Sequence, residues 1–430
     1  MRRTRNPAQR PSPTTDPPFT TARLVPRAPA LSERCSHPPA KPVLPIDPSP
    51  DLEVKIAIIA LVKLEKDKLS RYNPQSLGLA KGMAALGCDE VDVYSFECLD
   101  GSSRKVTQVA PQVRLIQQDV PAFGGNTVAV TKRLQTGYTR ILCFSDIQFS
   151  YAGLDHWCRK NRIPLFPYVG VVRSSHPNRW ARAVMDRVAK RNIRNYRRRL
   201  VFAKTEPVRR QLENESVSTV LAPVGLDLSC LNRDFSRSTV EDCKSEAGFR
   251  SEDRVLLFVG RLAEEKRPLA LIDLFREIHA RDPRFKLCVV GDGPLRSAVR
   301  RKISGSGLTD QVRLHPVVKN VEMWRFYRMA DFSLNLNVGE IFGMSILEAM
   351  YYRTPVIARR APGPEMIIRH GEDGYLCDSD AGILEILTAP SHRVSVEKAH
   401  RKIVQDFSWE RSARLMLDAM ESEIRRRGPA

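Results

Sequence analysis

From Val54 onward the chain alternates short runs of β-branched and apolar residues with amphipathic stretches of 10 to 15 residues. That is the pattern of βαβ units, which close into parallel sheets. Runs near 54–62, 91–95, 113–117, 140–144, 164–169, 199–203 and 218–222 predict one series of strands, with helices between most of them. A second series follows the linker Pro223-Val224-Gly225-Leu226-Asp227, near 254–259, 286–290, 311–314, 331–336 and 355–358. Two consecutive doubly wound, Rossmann-like α/β domains are therefore expected, 53–222 and 223–404, facing across a cleft. In such sheets ligands bind beyond the carboxyl ends of the strands. No Gly-x-Gly-x-x-Gly follows a strand in either half, so no dinucleotide is expected, and no other cofactor. The segment Ser408 to Arg426 predicts one last helix, with Ser408 as N-cap and Trp409, Ala413, Met416, Leu417 and Met420 on its apolar face.

Composition changes the picture at the amino terminus. Residues 1–50 hold 13 of the 30 prolines and a net charge of +5, which sustains neither helix nor ladder. Residues 1–52 are expected to be a disordered Pro/Arg-rich tail, and the abrupt strand onset suggests a natural start near Val54. Elsewhere 42% hydrophobic and 27% charged residues supply a globular core. The longest apolar runs, such as Ile56 to Val62, fall short of the roughly 18 to 20 residues a membrane span needs. Nine cysteines form no Cys-x-x-Cys pair and sit among apolar neighbours, as reduced thiols of a cytoplasmic protein do.

Two segments carry candidate chemistry. Val259-Gly260-Arg261-Leu262-Ala263-Glu264-Glu265-Lys266 follows a buried strand and precedes a helix with Pro268 in its first turn. Arg261 offers a planar fork and Lys266 a mobile charge, together enough to neutralise a diphosphate; a solvated loop paired to its own glutamates is the alternative. Gly339-Glu340-Ile341-Phe342-Gly343-Met344-Ser345-Ile346-Leu347-Glu348 again joins a strand to a helix. Gly343 lets backbone amides approach an anion at the helix start. Eight helical residues would put Glu340 and Glu348 about 12 Å apart. That is too far for the about 5 to 9.5 Å of a glycosidase pair, so they should touch different parts of one long ligand.

These motifs, with Thr354-Pro355-Val356-Ile357-Ala358, Gly363-Pro364-Glu365 and Gly371-Glu372-Asp373-Gly374 after them, make the run from Val255 to about Asp378 resemble the donor domain of family 4 retaining glycosyltransferases of the GT-B fold. The resemblance implies that Arg261 and Lys266, beside Gly260, hold the diphosphate of a nucleotide-sugar donor. It implies that Glu340 meets the sugar hydroxyls, that Glu348 meets the ribose, and that the backbone of Ile341, Phe342 and Gly343 faces the phosphates. Gly291-Asp292-Gly293-Pro294 matches a turn near the nucleotide, and serves equally as a structural turn. The amino-terminal half resembles the family's acceptor domain more loosely, through Leu77 to Gly87, Val91-Asp92-Val93-Tyr94 and the linker. Many members have Gly-Gly after the first strand, where this chain has Val62-Lys63-Leu64-Glu65-Lys66, and a His after the strand equivalent to Pro164 to Tyr168, where Gly170-Val171-Val172 stands. His176, six residues further, is the displaced candidate. In the family the last helix, here 405–430, crosses back to the first domain.

Asp378-Ser379-Asp380 fits the D-x-D string with which glycosyltransferases of another fold hold a divalent ion. Its place after Gly371 to Gly374 and before Ala381-Gly382-Ile383-Leu384 points instead to acidic capping of a helix, and no metal is expected. The charge is concentrated: residues 171–210 hold 13 Lys+Arg and two acidic residues, a large share of the total of +20. Within them Trp180, Val184, Met185, Val188, Ala189, Ile193, Tyr196 and Leu200 trace a helical apolar face among arginines. The 178–200 basic helix can meet an anionic membrane surface, which makes the enzyme peripheral at the inner face of the membrane. Stacking platforms for single strands are scarce, so no nucleic acid is expected.

The chain is thus expected to transfer a sugar from a nucleotide-diphosphate donor to a saccharide or lipid-linked acceptor, in polysaccharide or glycolipid synthesis. A GT-B sugar-nucleotide epimerase or phosphorylase is the enzymatic alternative, and a basic nucleic-acid-binding protein the other.

Overall fold

The structure, a computed structural model, describes residues 53–64, 75–97, 104–120, 133–174, 178–231, 238–389 and 394–427. The expected tail and His176 lie outside the described residues, as does most of the segment after the first strand. Two sheets form the body. The first contains β1 Lys55–Leu64, β2 Glu90–Glu97, β3 Arg104–Ala110, β4 Val113–Gln118, β5 Arg140–Phe144, β6 Leu165–Val169, β7 Leu200–Ala203 and β8 Ser218–Leu221, in the order β3-β4-β2-β1-β5-β6-β7-β8. All its pairs are parallel except β3 with β4. The second contains β9 Arg254–Val259, β10 Phe285–Val290, β11 Val312–His315, β12 Phe332–Asn335, β13 Val356–Arg359 and β14 Tyr375–Cys377, parallel throughout, in the order β11-β10-β9-β12-β13-β14.

The central strands are buried on both faces, which is why they read as unbroken apolar runs: Ile56, Ile58, Leu142 and Phe202 enter one core, and Ala57, Ile59, Ile141 and Val201 the other. Two strands escaped the sequence pattern. β3 is exposed along most of its length, and β14 is only three residues long. Neither shows the apolar run that marks a central strand.

The chain passes between the sheets twice, side by side. Leu226 N donates to Phe407 O at 2.7 Å and Trp409 N to Leu226 O at 3.3 Å, which ties the linker to the segment before the last helix. The last helix, Trp409–Arg427, starts with the Ser408 hydroxyl accepting from Arg411 N at 3.2 Å. It packs on the helix Gln75–Ala85 of the first sheet. The approach is close enough that a side-chain carbon at Gly82 would lie 2.7 Å from the Trp409 carbonyl oxygen. Both crossings are thereby joined to the first lobe as well as to the second.

Candidate active site

In the second sheet β9 lies between β10 and β12, so the chain winds outward in one direction, returns, and winds outward in the other. The crevice between the carboxyl ends of β9 and β12 is the position where doubly wound sheets bind ligands. The two candidate segments leave from these two strand ends.

They meet across the crevice. Lys266 Nζ donates to Glu340 Oε2 at 2.5 Å. The same oxygen accepts from the side-chain amides of Asn335 and Asn337, each at 3.3 Å. Asn335 and Asn337 also shape the loop, since Asn337 N donates to Asn335 Oδ1 at 3.1 Å and Gly339 N to Asn337 Oδ1 at 2.9 Å. A nearly buried carboxylate thus has one cation and two amides around it, the compensation such a group needs. The Asn-Leu-Asn at the end of an apolar strand was the signal for these two residues, which sequence reasoning had passed over as strand. The main-chain carbonyl of Glu340 is also fixed, by Gly363 N at 2.9 Å.

Arg261 does not converge on this pair. It is exposed and bound to Glu265 at 2.6 Å, and its guanidinium holds the Glu265 carboxyl below the usual range. That is the self-paired loop foreseen as the alternative for this residue. Gly343 adopts φ +97° as the residue before the helix Met344–Tyr351. Phe342 is buried against Phe407, with ring centres 6.1 Å apart, while Ile341 is exposed. Glu348 lies on the buried side of its helix with no exposure, and one carboxylate oxygen accepts the Tyr327 hydroxyl at 2.7 Å. In this conformation that carboxylate is turned to Tyr327.

The loops after β9 and β10 are braided: Leu262 N donates to Asp292 O at 2.8 Å and Leu295 N to Leu262 O at 2.9 Å. Gly291, at φ +147°, sits where a side-chain carbon would lie 2.0 Å from Gly260 O, so only glycine fits. The Asp292 carboxylate accepts from Gly293 N at 2.7 Å, within its own turn. His315, at the end of the neighbouring β11, is held below the usual imidazole range by burial.

At the D-x-D string the helix is capped by a hydroxyl and not by an acid. The cap of the helix Asp380–Thr388 is Ser379, whose hydroxyl accepts from Gly382 N at 3.2 Å, and the two carboxylates pair with Arg360 at 3.1 Å and Arg359 at 3.6 Å. A hydroxyl accepts as well as a carboxylate at that position, which leaves the acids for the arginines.

The basic helix spans Arg179–Tyr196, with the Asn178 side chain accepting from Trp180 N and Ala181 N. Its apolar face is buried only in the second half, where Val188 and Ala189 cluster with Ile147 past β5 and Ile193 and Tyr196 enter a core of the first sheet. Trp180 and Val184 are 74% and 56% exposed. A cavity of about 410 Å³, lined by Ile163, Leu165, Leu200, Ile424 and Arg199, lies at the opposite, amino-terminal edge of β6 and β7 and is remote from this chemistry.

Residues 240–403 match the family model described as Glycosyl transferases group 1. Among similar proteins, the D-inositol 3-phosphate glycosyltransferase of Arthrobacter sp. (strain FB24) is 30% identical over 214 residues, 47% of this chain and 50% of the relative. The alpha-monoglucosyldiacylglycerol synthase of Streptococcus pneumoniae is 27% identical over 233 residues, 52% of each chain. The chain spans about half the length of the curated relatives it matches. Among solved structures, sucrose-phosphate synthase of Thermosynechococcus elongatus aligns with TM-score 0.65 at 20% identity, covering 86% of this chain and 99% of the other. Anabaena Alr3699/HepE, in complex with UDP and glucose, aligns with TM-score 0.65 at 18% identity, covering 86% and 100%. The fold is GT-B. Over residues 240–403 the chain is therefore similar to the group 1 glycosyltransferases. Among the described residues no helix is long and apolar enough to cross a membrane.

Proposed function

We propose that this protein is a retaining, family 4 glycosyltransferase that moves a sugar from a nucleotide-diphosphate donor to a saccharide or lipid-linked acceptor, in cell-surface polysaccharide or glycolipid synthesis. The observation that carries the proposal is the Lys266–Glu340 pair spanning the crevice of the second sheet. A diphosphate entering there competes with Glu340 for Lys266. Once the lysine turns to the phosphates, the Glu340 carboxylate is released to accept the hydroxyls of the donor sugar. Arg261 swings from Glu265 to complete the charge on the diphosphate, and the start of the helix at Gly343 adds its dipole. Glu348 takes the ribose, after the Tyr327 side of the pocket opens. The two cations, once turned to it, stabilise the departing diphosphate. The acceptor attacks from the same face and a donor phosphate oxygen takes its proton, so no protein nucleophile is required.

The name of the pneumococcal relative, a glucosyldiacylglycerol synthase, supports a lipid acceptor. The exposed Trp180 and Val184 beside the arginines of the basic helix support a peripheral position on an anionic leaflet. Each basic residue near such a surface contributes about 1 kcal/mol, and an indole suits the headgroup layer. A thermal-shift panel of sugar nucleotides tests the donor site: a ligand at 100 times its Kd stabilises by about 2.7 kcal/mol. A flat response across the panel would defeat the proposal.

A further inference from the structure

The first sheet has a switch point of its own. β1 lies between β2 and β5, so a crevice opens at the carboxyl ends of β1 and β5. Asp146 stands two residues past β5. Its Oδ1 accepts from Gly170 N at 2.5 Å and Val171 N at 3.1 Å, both just past β6. Its Oδ2 accepts from Lys204 Nζ at 2.8 Å, just past β7. One carboxylate therefore ties together the ends of three neighbouring strands.

The two partners are unequally exposed. The Lys204 side chain is 9% exposed and that of Asp146 34%. The ammonium lies 5.1 Å from the ring centres of both Phe144 and Tyr168, within cation–π range. Gly170 leaves the room for it: a side-chain carbon there would lie 2.6 Å from Lys204 Cδ and 3.3 Å from Nζ. Lys204 thus fills the space above β6 from the neighbouring strand, and the surface left open is the carboxylate.

This surface lies on the side of the second lobe's chemistry. The helix Pro362–Ile367, whose Gly363 N holds the Glu340 carbonyl, packs on the helix Glu206–Asn214, which begins two residues after Lys204. A charged pair there is not accounted for by stability, because apolar residues of similar volume stabilise a buried position at least as well as an ion pair. An ionised carboxylate accepts hydrogen bonds and donates none, and it repels anions.

We infer that Asp146 binds an uncharged hydroxyl of the acceptor, a sugar or glycerol hydroxyl rather than a phosphate. Lys204 is the positioning residue that holds this carboxylate oriented. The inference rests on the transferase function proposed above, and the test separates the two. The full chain is incubated with UDP-glucose, and UDP release is followed with no acceptor, with methyl α-glucoside, and with dioleoylglycerol in vesicles. For D146N and K204M the KM for the effective acceptor rises at least tenfold, while the Kd for UDP and the acceptor-free release of UDP stay within twofold of the unsubstituted protein. D146N keeps the volume of the side chain and decides the matter if K204M fails to fold. An unchanged acceptor KM in D146N overturns the inference, as does a parallel loss of UDP binding. A wild-type chain that binds UDP but shows no acceptor-dependent release overturns it too and leaves the donor site standing. One that binds neither UDP nor any sugar nucleotide of the thermal-shift panel removes the transferase function itself.

Discussion

Replacing Lys266 by Ala removes the cation that bridges the crevice and, in the proposed function, meets the donor diphosphate. The lysine side chain is 27% exposed and that of Glu340 10%. Breaking a fully buried pair costs about 3 to 5 kcal/mol. Here part of the lysine is in water and two asparagine amides remain on Glu340, so a loss of about 1 to 2 kcal/mol of stability is expected. For UDP, a charge-assisted hydrogen bond contributes about 1.5 to 3 kcal/mol. Because the lysine must first leave Glu340, the lower end applies, which is roughly a tenfold rise in Kd. Glu340→Gln should act in the opposite direction on binding: it frees Lys266 from its carboxylate, so UDP binds at least as tightly as to the wild type while turnover falls. Calorimetric titration of both variants with UDP at 0.15 M salt, alongside thermal unfolding, measures these quantities. A tenfold loss of UDP affinity in Glu340→Gln, or none in Lys266→Ala, would refute the competition between carboxylate and diphosphate.

Three further outcomes are expected. Glu348→Gln should raise the Kd for UDP about tenfold in the same titration, since a neutral amide replaces a charged acceptor of the ribose hydroxyls; unchanged affinity would detach Glu348 from the nucleotide. Trp180→Ser with Val184→Ser should leave unfolding unchanged, because both side chains are exposed, and should weaken co-sedimentation with anionic vesicles. Binding that is untouched by this change and by high salt would speak against a membrane role for the helix. Trp409→Ala should cost about 3 to 5 kcal/mol in denaturant unfolding, since its buried ring packs against Gly78 and the crossings run beside it; a loss below about 1 kcal/mol would mean that the last helix is not part of the cooperative unit.

The alternation of apolar runs and amphipathic stretches was enough to anticipate both parallel sheets, because strands buried on both faces cannot be polar. β3 was illegible for the converse reason: an antiparallel edge strand such as Arg104-Lys105-Val106-Thr107 has no face that must be apolar. The basic helix shows a subtler limit. Its periodicity runs from Trp180 to Tyr196, but periodicity does not tell where the sheet stops supporting the face, and Trp180 and Val184 lie beyond that point. Motif spacing brought Lys266 and Glu340 into one neighbourhood, while their direct pairing depends on which two strands flank the crevice. The pairing of Asp146 with Lys204 is of the same kind, since 58 residues separate them and only the order β5-β6-β7 makes them neighbours. The space at Gly170 was seen as a departure from the family, and its occupant came from another strand.

The central claim is the transfer of a sugar from a nucleotide diphosphate, and the fate of a labelled donor tests it most directly. The full chain is incubated with UDP-[14C]glucose and anionic vesicles containing dioleoylglycerol, and both products are separated and counted. Transfer predicts label in the lipid phase and an equal amount of UDP in the aqueous phase. Epimerised UDP-sugar, or glucose 1-phosphate formed only when inorganic phosphate is added, would contradict it.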